Sequence, residues 1–155
     1  NSALGKTEED FYCAIASSFM LSADNAHAVH PHHPQKTDAT NCVYMNEGIV
    51  VKSHAGQKYT SDAVSVAVFK DLCKKANVPV QFFANRSDEA GGSTLGNIAM
   101  AQVSMNSVDI GLPQLAMHST YETAGIKDTY YMIQVMTEFF NSHISEVNSH
   151  SLKVD

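Results

Sequence analysis

The sequence predicts an α/β domain built on a largely parallel or mixed sheet. Short β-branched or apolar runs alternate along the chain with stretches whose apolar residues recur at helical spacing, and turn-forming clusters separate them. The composition agrees: among 155 residues, 44% are hydrophobic and 17% charged, enough apolar side chain for one core and too little charge for a disordered tail.

The elements follow in order. Thr7 is a fair N-cap, and Glu8, Glu9 and Asp10 place negative charge where a helix N-terminus favours it, so with Phe11, Ile15 and Phe19 at helical spacing a helix is expected over 7–18. Phe19-Met20-Leu21 reads as a buried strand delivering Asp24 at its C-terminal end. Two prolines and many polar residues make 31–46 a long loop, and the β-branched run Gly48–Ser53 is a strand. Thr60-Ser61-Asp62 caps a helix with the stripe Val64, Val68, Leu72, flanked by Phe69 and Cys73, which stops near Asn77 because Pro79 cannot continue it. Val80–Phe83 is a strand, 85–94 is turn-rich, and a helix follows over 94–102. Val108–Gly111 and Gln114–Met117 are short strands broken at Pro113, and 128–142 is an amphipathic helix with Asp128 as its cap. No repeat or linker divides the chain.

Charge and cysteine usage narrow the function classes. The net charge of −6, with Lys and Arg scattered, gives no electrostatic footprint for nucleic acid. No apolar run approaches the ~20 residues that span a bilayer, and NSALGKTEEDFY has neither the basic start nor the apolar stretch of a signal peptide. Cys13, Cys42 and Cys73 are too few for a disulfide framework and read as reduced thiols of a cytoplasmic protein, two of them buried.

Candidate chemistry sits on Asp24 and His118, each expected to end a strand and each a suitable ligand for Zn²⁺, Mn²⁺ or Co²⁺. Taken singly, an Asp after a strand is more often an N-cap and a lone His more often a hydrogen-bonded core residue. Of the eight histidines, His27, His30, His32 and His33 are clustered. His27 and His30 are spaced to share a helical face, whereas Pro31 and Pro34 put His32 and His33 on an irregular loop facing water. Gly91-Gly92-Ser93-Thr94 lacks the lysine of a phosphate loop and is equally a backbone anion site or a tight packing turn. No nucleophile elbow or Cys–His arrangement is visible.

Four segments, SADNAHAVHP (22–31), VVKSHAGQKYTSDA (50–63), NRSDEAGGSTLGNIA (85–99) and SVDIGLPQLAMHSTYE (107–122), resemble in order and spacing the M18 family of metallo-aminopeptidases, the aspartyl aminopeptidase group. The resemblance runs through nearly the whole chain, to Leu152-Lys153-Val154-Asp155. It implies a three-layer α/β/α zinc-peptidase-like domain with a mixed sheet, incomplete here, residues 1–155 being the C-terminal portion of the catalytic domain. It also implies two divalent metal ions, zinc foremost with manganese or cobalt as alternatives. Asp24 matches the carboxylate ligand of one ion and His118 the histidine ligand of the other. His27, Lys52, Tyr59 and Gly92 match substrate-side positions, with Lys52 facing an acidic side chain of the substrate; outside the resemblance Lys52 would be a surface lysine at a strand end. Tyr121 and Asn97 stand where many members have Arg and Pro.

The same resemblance sets what the chain lacks. The first His ligand, the bridging Asp and the adjacent Glu pair that provides the general base have no counterpart here, and Glu8-Glu9 opens a surface helix instead. No catalytic residue is therefore expected in this chain. The function implied is removal of N-terminal residues, acidic or neutral, from peptide substrates by a cytoplasmic homo-oligomer once the missing part is present. The alternative is an inactive truncated domain acting as an interaction module.

Overall fold

The computed structural model describes residues 2–148 and 151–155. Along the chain run α1 (Glu8–Ala16), β1 (Phe19–Ala23), β2 (Ala26–His27), β3 (Ile49–Ser53), α2 (Ala63–Lys75), β4 (Val80–Ala84), α3 (Leu95–Gln102), β5 (Asn106–Gly111), β6 (Pro113–Leu115), β7 (Thr123–Ala124), α4 (Ile126–Asn141), β8 (Ile144–Asn148) and β9 (Ser151–Val154). Four strands form the organising sheet in the order β1-β5-β3-β4. β1 pairs parallel with β5 and β3 parallel with β4, while β3 and β5 run antiparallel through Val51 opposite Ile110, so the sheet is mixed as expected. A smaller sheet, β2-β6-β7, lies beyond the strand ends, and β8 and β9 make a hairpin.

Alternation along the strands divides the sheet into two unlike faces. Ile49 and Val51 of β3, with Val108 and Ile110 of β5, meet Val68, Phe69, Leu72 and Cys73 of α2 and Val135 of α4 in the main core. The opposite face carries a smaller apolar cluster of Ala26, Val43, Val50 and Phe83. Beside it are the buried polar residues Ser22, Lys52, Ser107 and Asp109. α3 covers this second face, where a Cβ on Gly96 would lie 2.8 Å from the Ser22 hydroxyl and 2.9 Å from the Asp109 carboxylate. Helices on both faces give the α/β/α layering.

Capping accounts for most helix boundaries. Thr7 accepts from the Asp10 amide at 3.1 Å while its own amide donates to the Asp10 carboxylate at 2.9 Å, a reciprocal box that fixes the start of α1. No residue of α1 is buried. Asp62 and Ser65 close the same box on α2. Of the stripe expected on α2, Val68 and Leu72 are buried and Val64 is 40% exposed.

Several expectations are corrected. Asp128 is not the cap of α4, which is Gly125. Its carboxylate is buried one turn in and accepts the amides of Asn46 at 2.5 Å and Gly48 at 3.0 Å, tying α4 to the loop that enters β3. Burial raises its pKa, and the two amides oppose that shift. Strand pairing begins at Pro113 itself, where the sequence suggested a break. The hairpin β8–β9 and the two-residue strands β2 and β7 were unforeseen. One cysteine rather than two is buried: Cys73, whose thiol burial pushes up to about 12. Among the described residues no helix is long and apolar enough to cross a membrane.

Candidate metal and substrate site

Asp24 follows β1 directly, and its amide donates to the Ile110 carbonyl at 2.9 Å. This approach depends on Gly111, because a Cβ there would sit 2.0 Å from the Asp24 carbonyl oxygen. The next residues are fastened to the same partner segment. Ala26 and His27 pair with Pro113 and Gln114, and the Asn25 side chain donates through Nδ2 to Gln114 Oε1 at 2.6 Å. His27 is thus on an extended strand, and the expected helical face shared with His30 does not form. Beyond β6 the chain turns sharply through two left-handed residues, Ala116 (φ 56°) and His118 (φ 67°). Non-glycine residues in this region are uncommon and cluster at functional sites. The His118 amide donates to Glu122 Oε1 at 2.6 Å, which holds the turn. His118 therefore lies in the turn after β6 rather than at the strand's end.

Lys52 is 2% exposed, so the surface-lysine reading is excluded. Its ammonium donates to the Asp24 carbonyl at 2.8 Å and stands 5.1 Å from the centre of the Tyr59 ring. Burial lowers its pKa, opposed by the charges of Asp109 and Asp24. Burial raises the Tyr59 phenol, and the same two carboxylates raise it further. The Tyr59 ring packs edge-on to His54 with centroids 5.8 Å apart and leans on Phe83. His27 keeps one edge open to solvent, yet packing lowers its pKa, followed by repulsion from His118 and Lys52. Asp24, His27, Lys52, Tyr59 and His118 thus form one electrostatic neighbourhood.

Asp109 belongs to it and was missed from sequence, where it passed as a strand residue. Fully buried, it accepts the Ser22 hydroxyl at 2.6 Å on one oxygen, and the Thr60 amide at 2.6 Å and hydroxyl at 3.0 Å on the other. The available signal was a carboxylate inside the apolar run Val108-Asp109-Ile110.

The glycine turn is a packing turn at Gly91, whose added Cβ would lie 2.8 Å from the His54 ring; at Gly92 there is open space. Lys58 donates to the Gly91 carbonyl at 2.7 Å, so the turn abuts the segment carrying Tyr59. The rings of His30 and His33 lie tilted with centroids 5.2 Å apart and, with His27, Lys36 and Arg86, edge a cavity of about 290 Å³. His32 and His33 are both exposed, as expected, and His33 borders this cavity.

The donor chemistry of Asp24 and His118 suits zinc, and neither side chain makes a hydrogen bond to protein among the described residues. No group of three His, Cys, Asp or Glu side chains able to hold a metal occurs among those residues. The described part of this chain thus offers two donors but not a closed coordination shell.

Comparison with known proteins agrees with these observations. The sequence model of the aminopeptidase I zinc metalloproteases (M18) matches residues 1–140. A probable M18 family aminopeptidase 2 of Clostridium novyi is 52% identical over 139 residues, covering 90% of this chain and 32% of that protein. The solved complex of Ape4 with Nbr1 superposes with a TM-score of 0.86 and 37% identity over 89% of this chain and 26% of that one. The S. cerevisiae mApe1 dodecamer gives a TM-score of 0.77 and 26% identity over 90% of this chain and 31% of that one. The chain spans about a third of the length of the curated relatives it matches.

Proposed function

The chain belongs to the M18 family of zinc metallopeptidases, and from that premise we propose that it contributes part of a two-ion aminopeptidase site. Asp24 binds one ion and His118 the other, and the remaining ligands and the general base come from outside this chain. The ions, when bound, supply Lewis-acid activation of the scissile carbonyl and of a water. The chain's own part is to hold its two ligands in place and to receive the substrate's N-terminal residue. Lys52, desolvated and lodged against Tyr59, pairs with an acidic side chain through a charge-assisted contact strengthened by exclusion of water. His27, open to solvent beside His118, hydrogen-bonds the substrate's polar backbone. Peptides are the substrates, and the complete protein assembles as a homo-oligomer, as the dodecameric relative does. Without the other ligands this chain alone is inactive.

One observation supports the reading: the Lys52 ammonium, beside the Tyr59 ring, donates to the Asp24 carbonyl at 2.8 Å, so residues distant in sequence meet around Asp24. The test is Asp24→Ala and His118→Ala in the complete protein containing this chain, assayed on N-terminal aspartyl and leucyl substrates with bound zinc measured in parallel. Each change is expected to reduce turnover to background and to lower the metal content. Retained activity with either one would overturn the ligand assignment.

A further inference from the structure

The polar face of the sheet converges on a single side chain. Asp109 is held from three directions: Ser22 of β1, two residues before Asp24; Thr60, next to Tyr59; and Gly96 of α3, whose lack of a side chain lets the helix close over the carboxylate. The Asp109 amide donates to the Ser61 hydroxyl at 3.0 Å, so both main chain and side chain of Asp109 grip the 60–61 segment. Among the described residues Lys52 has no ion-pair partner within salt-bridge distance; its polar contact is the Asp24 carbonyl. Burying an ammonium away from any opposite charge is costly, and Lys52 is 2% exposed. Asp109 is the fully buried carboxylate on the neighbouring strand: it and Lys52 lie one step beyond the antiparallel Val51–Ile110 pair of β3 and β5, on the same buried face.

We propose that Asp109 is a positioning residue of this site, which fixes Tyr59 through Thr60 and holds the Lys52 ammonium over the Tyr59 ring, so that both meet the side chain of the substrate's N-terminal residue. The proposal rests on the reading of Lys52 and Tyr59 as substrate-facing. Asp109 touches no substrate itself. It acts through its neighbours by two separable means, a pair of acceptor oxygens for Thr60 and Ser22, and a negative charge for Lys52.

Asp109→Asn separates them. The amide oxygen still accepts from Thr60, and its NH₂ faces Ser22, whose hydroxyl turns to accept, so the fold keeps its hydrogen bonds and only the charge is removed. The readout is the ε-methylene signal of Lys52 in the full chain labelled with ¹³C-lysine and assigned through Lys52→Arg. With the Lys52 ammonium 5.1 Å from the centre of the Tyr59 ring, this signal is expected upfield of those of the exposed lysines in the parent chain. With Asp109→Asn that displacement is expected to be lost while the amide spectrum stays dispersed. A fastener of purely structural importance would lower the melting temperature and leave the displacement in place, and that result overturns the proposal. If Asp109→Asn does not give a folded chain, Thr60→Val carries the test: it deletes the hydroxyl bonded to Asp109 while the backbone amide remains. A reduced displacement is expected, and the parent value would refute the role of Asp109. The measurement needs neither metal nor substrate, so it can fail while the peptidase reading stands, and the zinc and turnover assays can fail while Asp109 keeps this role.

Discussion

The two faces of the sheet are built from the same strands and do opposite work. On β3, Ile49 and Val51 turn to α2 and α4, whereas Val50 and Lys52 turn to the other side; on β5, Val108 and Ile110 part in the same way from Ser107 and Asp109. Both sets are buried. One face excludes water with hydrocarbon, and its stability follows from the area removed from solvent. The other buries a lysine, an aspartate and two serines, which raises the cost of folding unless each polar atom is matched. Polar residues in buried alternation with apolar ones therefore mark where a sheet has been given over to chemistry.

If this division holds, the largest loss of stability should come from the apolar face. Phe69→Ala empties a fully buried position between α2 and the sheet and should cost about 3–5 kcal/mol in urea unfolding of the chain. A loss under ~1 kcal/mol would mean that this core is loosely packed. Next in size is Asp128→Ala. This carboxylate also is buried, yet it lies away from the site and serves the fold by accepting the Asn46 and Gly48 amides. Leaving those donors unmatched should cost about 1–3 kcal/mol. A Gln81–Tyr44 pair already braces the same loop, with Gln81 Nε2 also reaching the Gly48 carbonyl at 3.0 Å. The loss should therefore appear as faster amide exchange at Asn46 and Gly48 as well as lower stability. Unchanged exchange would show that Asp128 is dispensable to the loop.

The apolar face was the legible one. The α2 stripe at Val68 and Leu72, the β-branched run of β3 and the caps at Thr7 and Asp62 are local signals, set within a few residues, and the structure reproduces them. What escaped was non-local. Asp128 has the residue type and position of a cap, and only a loop some 80 residues away shows that its carboxylate is engaged elsewhere. β2 is too short to show a period, so His27 read as helical although pairing with Gln114 makes it extended. The apolar residues of α1 were legible as a helical face, yet Phe11 is 45% exposed and no residue of the helix is buried. For the proposed site, the segment resemblance pointed to Asp24, His27, Lys52 and His118. It was silent on Asp109, whose hydrogen bonds come from Ser22 and Thr60, far from it in sequence.

The smallest effect should come from the residue that looks most costly to disturb. Lys52→Met replaces a buried ammonium with a side chain of similar length and no charge. Asp109 keeps its donors from Ser22 and Thr60, so removing the lysine does not leave it bare. Because burial holds the Lys52 pKa below that of an exposed lysine, the unfolded chain binds this proton more tightly than the folded one. The penalty is complete below the folded pKa and disappears as pH rises past the ordinary lysine value of ~10.4, since stability increases with pH wherever the unfolded state carries more protons. Lys52→Met should accordingly match or exceed the parent in melting temperature at pH 7, and the parent should gain on it as pH is raised toward 10. Replacing a buried charge with a packed apolar group is often neutral or stabilising, unlike the emptied site at Phe69. If instead Lys52→Met were to cost as much as Phe69→Ala at pH 7, the lysine would be a structural member of the sheet, and the contrast between its two faces would fail at the position that best expresses it.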